Sequence, residues 1–281
     1  MWHRGYSGLI AAACFVSAQG LCPVSGAEAS RPNVLLIVVE SLRADRVGCY
    51  GYSRDTTPSI DRLASEGVRF SQAVSPSSWT MPSVMTMFTS LSPLDHGVTT
   101  YRDSLGDGVA TLAAELQKAG YETAGFTANP STHGRFGFSR GFDHYDDFTV
   151  PLDLGLGLLD DGGSRSSVHH RSTNDQITLL ALSWLDRRDS AGAPFFLHVF
   201  YFDPHYDYLP LEPFDRMFTD PTYTGKQDGR GIKGLDGFGL SDADKRHIVA
   251  LYDGEVRQTD EHVGRLLEAL EKRGLDENTI V

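Results

Sequence analysis

The sequence predicts an α/β fold with a mostly parallel central sheet, and three observations predict it. Short, continuously apolar runs recur along the chain, polar residues follow directly at their ends, and helical patterns separate one run from the next.

The first run, Asn33 to Val39, reads N-V-L-L-I-V-V and is rich in β-branched residues, the pattern of a strand buried on both faces. Polar Glu40 and Ser41 follow it. Pro82 suits the first turn of a helix that continues through Val84 to Thr89. A helical pattern over Thr111 to Ala119 leads to a strand at Glu122 to Thr127, and a second helix over Asn174 to Arg187 leads to a strand at Phe195 to Phe202. The last long helix starts with Ser241 as N-cap and Asp244 three residues on. It runs through Ile248, Leu251, Tyr252, Val256, Val263, Leu266, Leu267 and Leu270 to a stop at Gly274. After it, Thr279-Ile280-Val281 opens another strand. Leu152 to Ser167 and Pro221 to Gly239 are rich in Gly and Asp without periodicity and read as surface loops, which serve as plain connectors or shape a substrate pocket. No repeat and no internal boundary divides residues 30–281, which read as one domain.

At 281 residues, with 40% hydrophobic and 22% charged content, the chain has globular composition and length for a substantial core. The formal charge of -12 is spread along the sequence, and no Lys/Arg run could track a phosphate backbone, which argues against nucleic acid as a partner. Residues 1–29 read as a cleavable secretory signal: His3 and Arg4, an apolar stretch from Leu9 to Ala18, then small residues ending at Ala27-Glu28-Ala29. A membrane span needs roughly 20 apolar residues, about twice this run. A buried N-terminal helix, or a lipid anchor at Cys14 or Cys22, are the other readings. The expected location is secreted or periplasmic. Cleavage after Ala29 would leave Cys49 as the one cysteine, without an internal disulfide and expected as a small buried filler.

Ligands of open parallel sheets collect at the C-terminal ends of strands, so Glu40 is placed to hold a metal or to cap a helix. In Ser77-Ser78-Trp79-Thr80-Met81-Pro82-Ser83, Thr80 would sit beside unpaired N–H groups at a helix start, where an anionic ester is favoured. A hydroxyl there serves as a nucleophile once a metal lowers its pKa, or simply as a cap. Asp203-Pro204-His205 follows the strand at Phe195 to Phe202. Its imidazole would contact the anion or protonate a leaving group, and its Asp would otherwise cap a turn. His96 reads as a supporting or packed residue, and His169-His170 as a solvated pair.

Taken in order, these segments resemble the sulfatase family. Arg31-Pro32-Asn33 with the apolar strand, Ser41-Leu42-Arg43-Ala44-Asp45, Tyr50-Gly51-Tyr52 and Asp55-Thr56-Thr57-Pro58 come first. Ile60 to Gly67, the Thr80 segment, Asp203-Pro204-His205 and Tyr252-Asp253-Gly254-Glu255-Val256 follow. The resemblance runs from Arg31 to Val281. It implies an alkaline-phosphatase-like α/β/α sandwich, a divalent metal (calcium, zinc or manganese), and hydrolysis of small-molecule or glycan sulfate or phosphate esters through a covalent ester. It also implies Glu40 and Thr80 as metal ligands, Thr80 as nucleophile, His205 as a catalytic contact, and Asp203, His205, His96 and Asn129 as substrate-binding positions. The chain departs from the family at C/S-x-P-x-R, where it carries Thr80 and Val84, so no formylglycine is expected. Glu40-Ser41 stands where many sulfatases carry two Asp residues, and Glu with Thr is similar to phosphoethanolamine and phosphoglycerol transferases. Asn129 to His133 matches the family's Lys-Trp-His segment only loosely. Relatives continue past the last strand into an Asp-His-Gly metal segment, so the resemblance implies a domain incomplete at its C-terminus. Three readings follow: a sulfate-ester hydrolase, a phosphoester hydrolase or headgroup transferase, and an inactive fragment or binding module.

Overall fold

The computed structural model describes residues 31–147, 173–188, 192–232 and 239–281. The expected leader, the loop over Leu152 to Ser167, the His169-His170 pair, and residues 233–238 of the loop at Pro221 to Gly239 lie outside them.

Five strands form one parallel sheet: β1 (Asn33–Val39), β2 (Glu122–Thr127), β3 (His144–Asp146), β4 (Phe195–Tyr201) and β5 (Thr279–Ile280), in the order β3-β2-β4-β1-β5. β1 lies beside β4 in the register Val34 to Phe196 through Val39 to Tyr201. The ladder extends one step further, where the Glu40 N–H donates to the Tyr201 carbonyl at 3.0 Å. Among the described residues the helices are α1 (Pro58–Glu66), α2 (Thr80–Thr89), α3 (Pro93–His96), α4 (Leu112–Lys118), α5 (Asn174–Arg187), α6 (Phe214–Met217) and α7 (Asp242–Lys272).

Strand alternation explains the layering. Leu35 in β1 and Phe195, Leu197, Val199 and Tyr201 in β4 point to one face, where they meet Ile177, Ala181 and Trp184 of α5 and Val263, Leu266 and Leu270 of α7. Leu36, Val38 and Phe200 point to the other, against Met81, Val84, Met85 and Phe88 of α2. Both faces of the sheet are therefore covered, which is why β1 and β4 carry no polar alternation. No helix among the described residues is long and apolar enough to cross a membrane.

Local chemistry sets the ends. Ser241 accepts the Asp244 N–H while the Asp244 carboxylate takes the Ser241 N–H, closing the capping box that starts α7. Thr111 caps α4 through the Ala114 N–H. Three outcomes differ from expectation. Phe202 lies past the end of β4; β3, a polar three-residue strand, had no apolar run to reveal it; and Cys49 is half-buried instead of a core filler.

Candidate active site

Glu40 leaves β1 at the C-terminal edge of the sheet, Asn129 stands two residues past β2, and Asp203 and His205 follow β4. Parallel strands thus deliver residues 89 and 163 positions from Glu40 to one rim. The turn after Glu40 is tight: Ser41 adopts the left-handed conformation (φ 52°), a region that costs a non-glycine residue on the order of 1–3 kcal/mol. Tyr252 of α7 holds it there. Its hydroxyl donates to the Ser41 carbonyl at 2.8 Å and accepts the Arg43 N–H at 2.9 Å.

At the centre, the Thr80 hydroxyl donates to Glu40 Oε1 at 3.0 Å, and Asn129 Nδ2 donates to Glu40 Oε2 at 2.8 Å. The Ser41 hydroxyl lies 3.4 Å from Oε1. Burial pushes the Glu40 carboxyl above its ordinary range, against the pull of the Thr80, Ser41 and Asn129 hydrogen bonds. Asn129 is itself fixed, because its Oδ1 accepts the Ser131 N–H at 2.7 Å. Thr80 is the first residue of α2, after an N-cap, Trp79, whose side chain makes no capping bond. The first-turn N–H groups of that helix therefore keep their donor capacity beside the hydroxyl, apart from Pro82, which has none.

His205 packs its ring on Phe202 (4.7 Å, 16°) and Tyr206, with Nδ1 2.9 Å from the Tyr206 carbonyl. A carbonyl only accepts, so that contact places a proton on Nδ1. Asp203 is buried beside Glu255 of α7; burial and the Asp203 charge push the Glu255 carboxyl well above its ordinary range. Glu255 and Gln258 take the Leu209 and Leu211 N–H groups at 2.5 and 2.8 Å, so α7 also braces the segment after His205. Gly254 lets the two approach: a Cβ there would sit 2.5 Å from the Phe214 carbonyl oxygen.

His96 is placed differently from the other candidates. Its ring is buried, Nδ1 accepts the Val98 N–H at 3.0 Å, and Nε2 faces the Pro82 carbonyl at 3.3 Å and the Thr86 hydroxyl at 3.2 Å. Nε2 serves α2 and Nδ1 the turn after α3, which makes His96 a prop for the helix that carries Thr80. Reading the sequence missed the roles of Tyr252 and Asp253. Asp253, fully buried, gathers the Tyr52 hydroxyl at 2.5 Å and Arg54 at 2.8 Å. A charged Asp at an apolar-flanked position of a long helix was the available signal.

For a divalent metal the described residues fit in part. Glu40 supplies one carboxylate and Thr80 one hydroxyl, fewer than the three protein ligands usual in a catalytic zinc site. No group of three or more His, Cys, Asp or Glu among the described residues is arranged to hold one.

A parallel sheet covered on both faces, with a carboxylate and a hydroxyl paired at its C-terminal rim, is the architecture expected of an alkaline-phosphatase-like α/β protein. The Sulfatase family model matches residues 32–281, and the chain belongs to that family. It is 28% identical over 300 residues to the arylsulfatase of Clostridium perfringens (strain 13 / Type A), covering 89% of this chain and 61% of that protein. To the N-acetylglucosamine-6-O-sulfatase of Bacteroides thetaiotaomicron it is 26% identical over 190 residues, covering 65% of this chain and 32% of that protein. Among solved structures, the phosphonate monoester hydrolase of Agrobacterium radiobacter superposes with TM-score 0.65 at 24% identity, covering 89% of this chain and 61% of that one. BT4656 in complex with its substrate D-glucosamine-2-N,6-O-disulfate superposes with TM-score 0.66 at 20% identity, covering 89% and 64%. At such identities the superpositions speak for the fold. The chain spans 61% or less of the length of these two curated relatives.

Proposed function

We propose that these residues form the catalytic core of a metal-dependent sulfate-ester hydrolase acting on sulfated glycans or smaller sulfate esters, with Thr80 as nucleophile. The observation that carries the reading is the 3.0 Å hydrogen bond from the Thr80 hydroxyl to Glu40 at the start of α2. That bond orients the hydroxyl and leaves its lone pairs toward an ester seated at the helix N-terminus, where the dipole and the N–H groups favour the anion. Attack by Thr80 Oγ1 on the central sulfur, with its proton passing to Glu40, forms a Thr80 sulfate ester and breaks the bond to the leaving alkoxide, which takes a proton from Nε2 of His205 in its imidazolium form; water then attacks the sulfur, releasing sulfate and returning the Thr80 hydroxyl. Family members are metal-dependent, and the residues that would hold the metal here are Glu40 and Thr80. A bound divalent ion would supply positive charge that lowers the hydroxyl pKa.

The names of several relatives, such as N-acetylglucosamine-6-O-sulfatase and ulvan-active sulfatase, support the ester class. The reading includes export through a cleavable leader at residues 1–29, which N-terminal sequencing of the mature protein tests. Mass spectrometry after quenching turnover of an aryl sulfate should find a sulfuryl group on the peptide containing Thr80. Thr80→Ala should lose activity by roughly two to four orders of magnitude, and full retention of esterase activity would remove Thr80 from this role.

A second reading, phosphoester or phosphonate hydrolysis or headgroup transfer, is favoured by one specific observation: the nucleophile position holds Thr paired with Glu, with Val84 in place of the family's Arg. Faster turnover of an aryl phosphate than of the matching aryl sulfate would establish it, and acceptor-dependent turnover would mark a transferase.

A further inference from the structure

The residue directly before Thr80 is a tryptophan that the core does not absorb. Trp79 is the N-cap of α2, and its side chain makes no capping bond, so the start of the helix does not call for an indole there. Aromatic side chains stabilise a fold chiefly by burying their large apolar area. Trp184 does so and is 7% exposed, whereas Trp79 keeps 36% of its surface open.

Its neighbours fix it on the rim. The indole meets Tyr101 at 5.4 Å and 66°, a T-shaped contact in which Tyr101 covers at most one indole face. Tyr101 is backed by buried Phe136 at 6.0 Å, and its hydroxyl lies 2.9 Å from Ser131 Oγ. The Ser131 N–H donates to Asn129, which in turn donates to Glu40. Trp79 is therefore joined to the Glu40–Thr80 pair twice, by the peptide bond to Thr80 and through Tyr101, Ser131 and Asn129. The polar groups along this wall are engaged with one another. The Tyr101 and Ser131 hydroxyls share a hydrogen bond, both ends of the Asn129 side chain are occupied, and the Thr132 hydroxyl bonds the Asn129 carbonyl at 2.9 Å and the Thr127 hydroxyl at 2.6 Å. A group rich in hydroxyls laid here would give up water without gaining partners. A flat apolar ring loses no hydrogen bonds and gains an aromatic contact.

We propose that Trp79 is a specificity-determining residue of the Thr80 site: its open indole face stacks the planar ring of an aryl leaving group, so that aryl esters are bound in preference to esters of saturated alcohols. The proposal rests on the hydrolase reading, to which it adds the residue that selects the leaving group.

The test is calorimetric titration of the Thr80→Ala protein, which leaves the ester intact, with 4-nitrophenyl sulfate and with cyclohexyl sulfate as the saturated comparison. Adding Trp79→Leu, which keeps apolar bulk without the ring, should raise the Kd of the aryl ester about five- to tenfold and that of the cyclohexyl ester by less than about twofold, and Trp79→Phe should restore most of the aryl affinity. The aryl ester should also quench tryptophan fluorescence, and Trp79→Phe should abolish the quenching while binding persists, a signature that a purely structural role would not produce. Thermal unfolding of each variant checks that it is folded; if Trp79→Leu is not, the fluorescence comparison with Trp79→Phe decides. No binding of the aryl ester, no weakening of it by Trp79→Leu, equal weakening of both esters, or quenching that survives Trp79→Phe would each overturn the proposal. With Thr80 present, Trp79→Leu should raise KM for 4-nitrophenyl sulfate and leave kcat within about twofold. A chain that hydrolyses the aryl ester with KM unchanged by Trp79→Leu would refute this proposal and keep the hydrolase reading. One that hydrolyses no sulfate ester yet binds the aryl ester through Trp79 would do the reverse.

Discussion

Tyr252 does more for the rim than its place in the middle of a helix suggests, because one hydroxyl both donates to Ser41 and accepts from Arg43. Tyr252→Phe removes both bonds and leaves the strained Ser41 turn unsupported. We expect a loss of about 1–3 kcal/mol in urea unfolding and a larger proportional fall in kcat than in KM, since Glu40 is positioned by that turn. Glu40 and Thr80 were legible as candidates from local sequence, one at the end of an apolar run and the other two residues before a helix-start proline. Their contact, and the clamp of Asn129 on the second carboxylate oxygen, were not. Nothing in a sequence separation of 89 residues shows that two side chains will meet at 2.8 Å.

Among the elements, α7 packs against α1, α5 and α6. Asp260 caps α1 from outside, accepting the Ser59 and Ile60 N–H groups at 2.9 Å each, where Thr57, the N-cap of α1, makes no side-chain cap. Asp260→Ala should therefore cost about 1–2 kcal/mol, as loss of a helix cap does, read as a drop in the urea midpoint at constant slope. A contrasting segment precedes α2. Val68, Phe70 and Val74 are 84%, 71% and 91% exposed, and the Tyr50 hydroxyl, donating to the Phe70 carbonyl at 2.7 Å, holds the segment where no backbone-to-backbone hydrogen bond joins residues 68–78 to other described residues. Side chains so exposed contribute little to the core, so replacing all three by Ser or Thr should change stability by less than about 1 kcal/mol. The same change should lower self-association in light scattering, because it removes an exposed apolar strip.

At the scale of the whole molecule, the two-faced sheet buries ionisable groups that set its response to acid. His198, in the middle of β4 among Phe88, Phe142 and Phe200, and His262 of α7 are both held down to about 4 by burial, from an ordinary value of 6.5. A histidine whose folded pKa is depressed favours the folded state above about pH 6.5, and that advantage fades as pH falls toward 4, since the unfolded chain takes up the proton first. Glu255, raised by burial, acts in the opposite sense, so the contribution of His198 is isolated by comparing wild type with His198→Phe. The variant should gain stability relative to wild type as pH falls from 6.5 to 4.5, and a constant difference between the two would show that His198 does not titrate in this way. By itself, the sequence determined β1, β2, β4 and β5 as strands, α2, α4, α5 and α7 as helices, and the two-sided burial of β1 and β4. It also determined the N-terminal box of α7 and the positions of Glu40 and His205 beyond strand ends and of Thr80 at a helix start, because apolar periodicity, caps and prolines act over a few residues. Tertiary structure alone decided the strand order, the polar strand β3, the packed role of His96, and the Glu40–Thr80–Asn129 contact with its brace from Tyr252. Those depend on which distant segments the folded core brings side by side, and burial energy selects among the pairings without leaving a local mark.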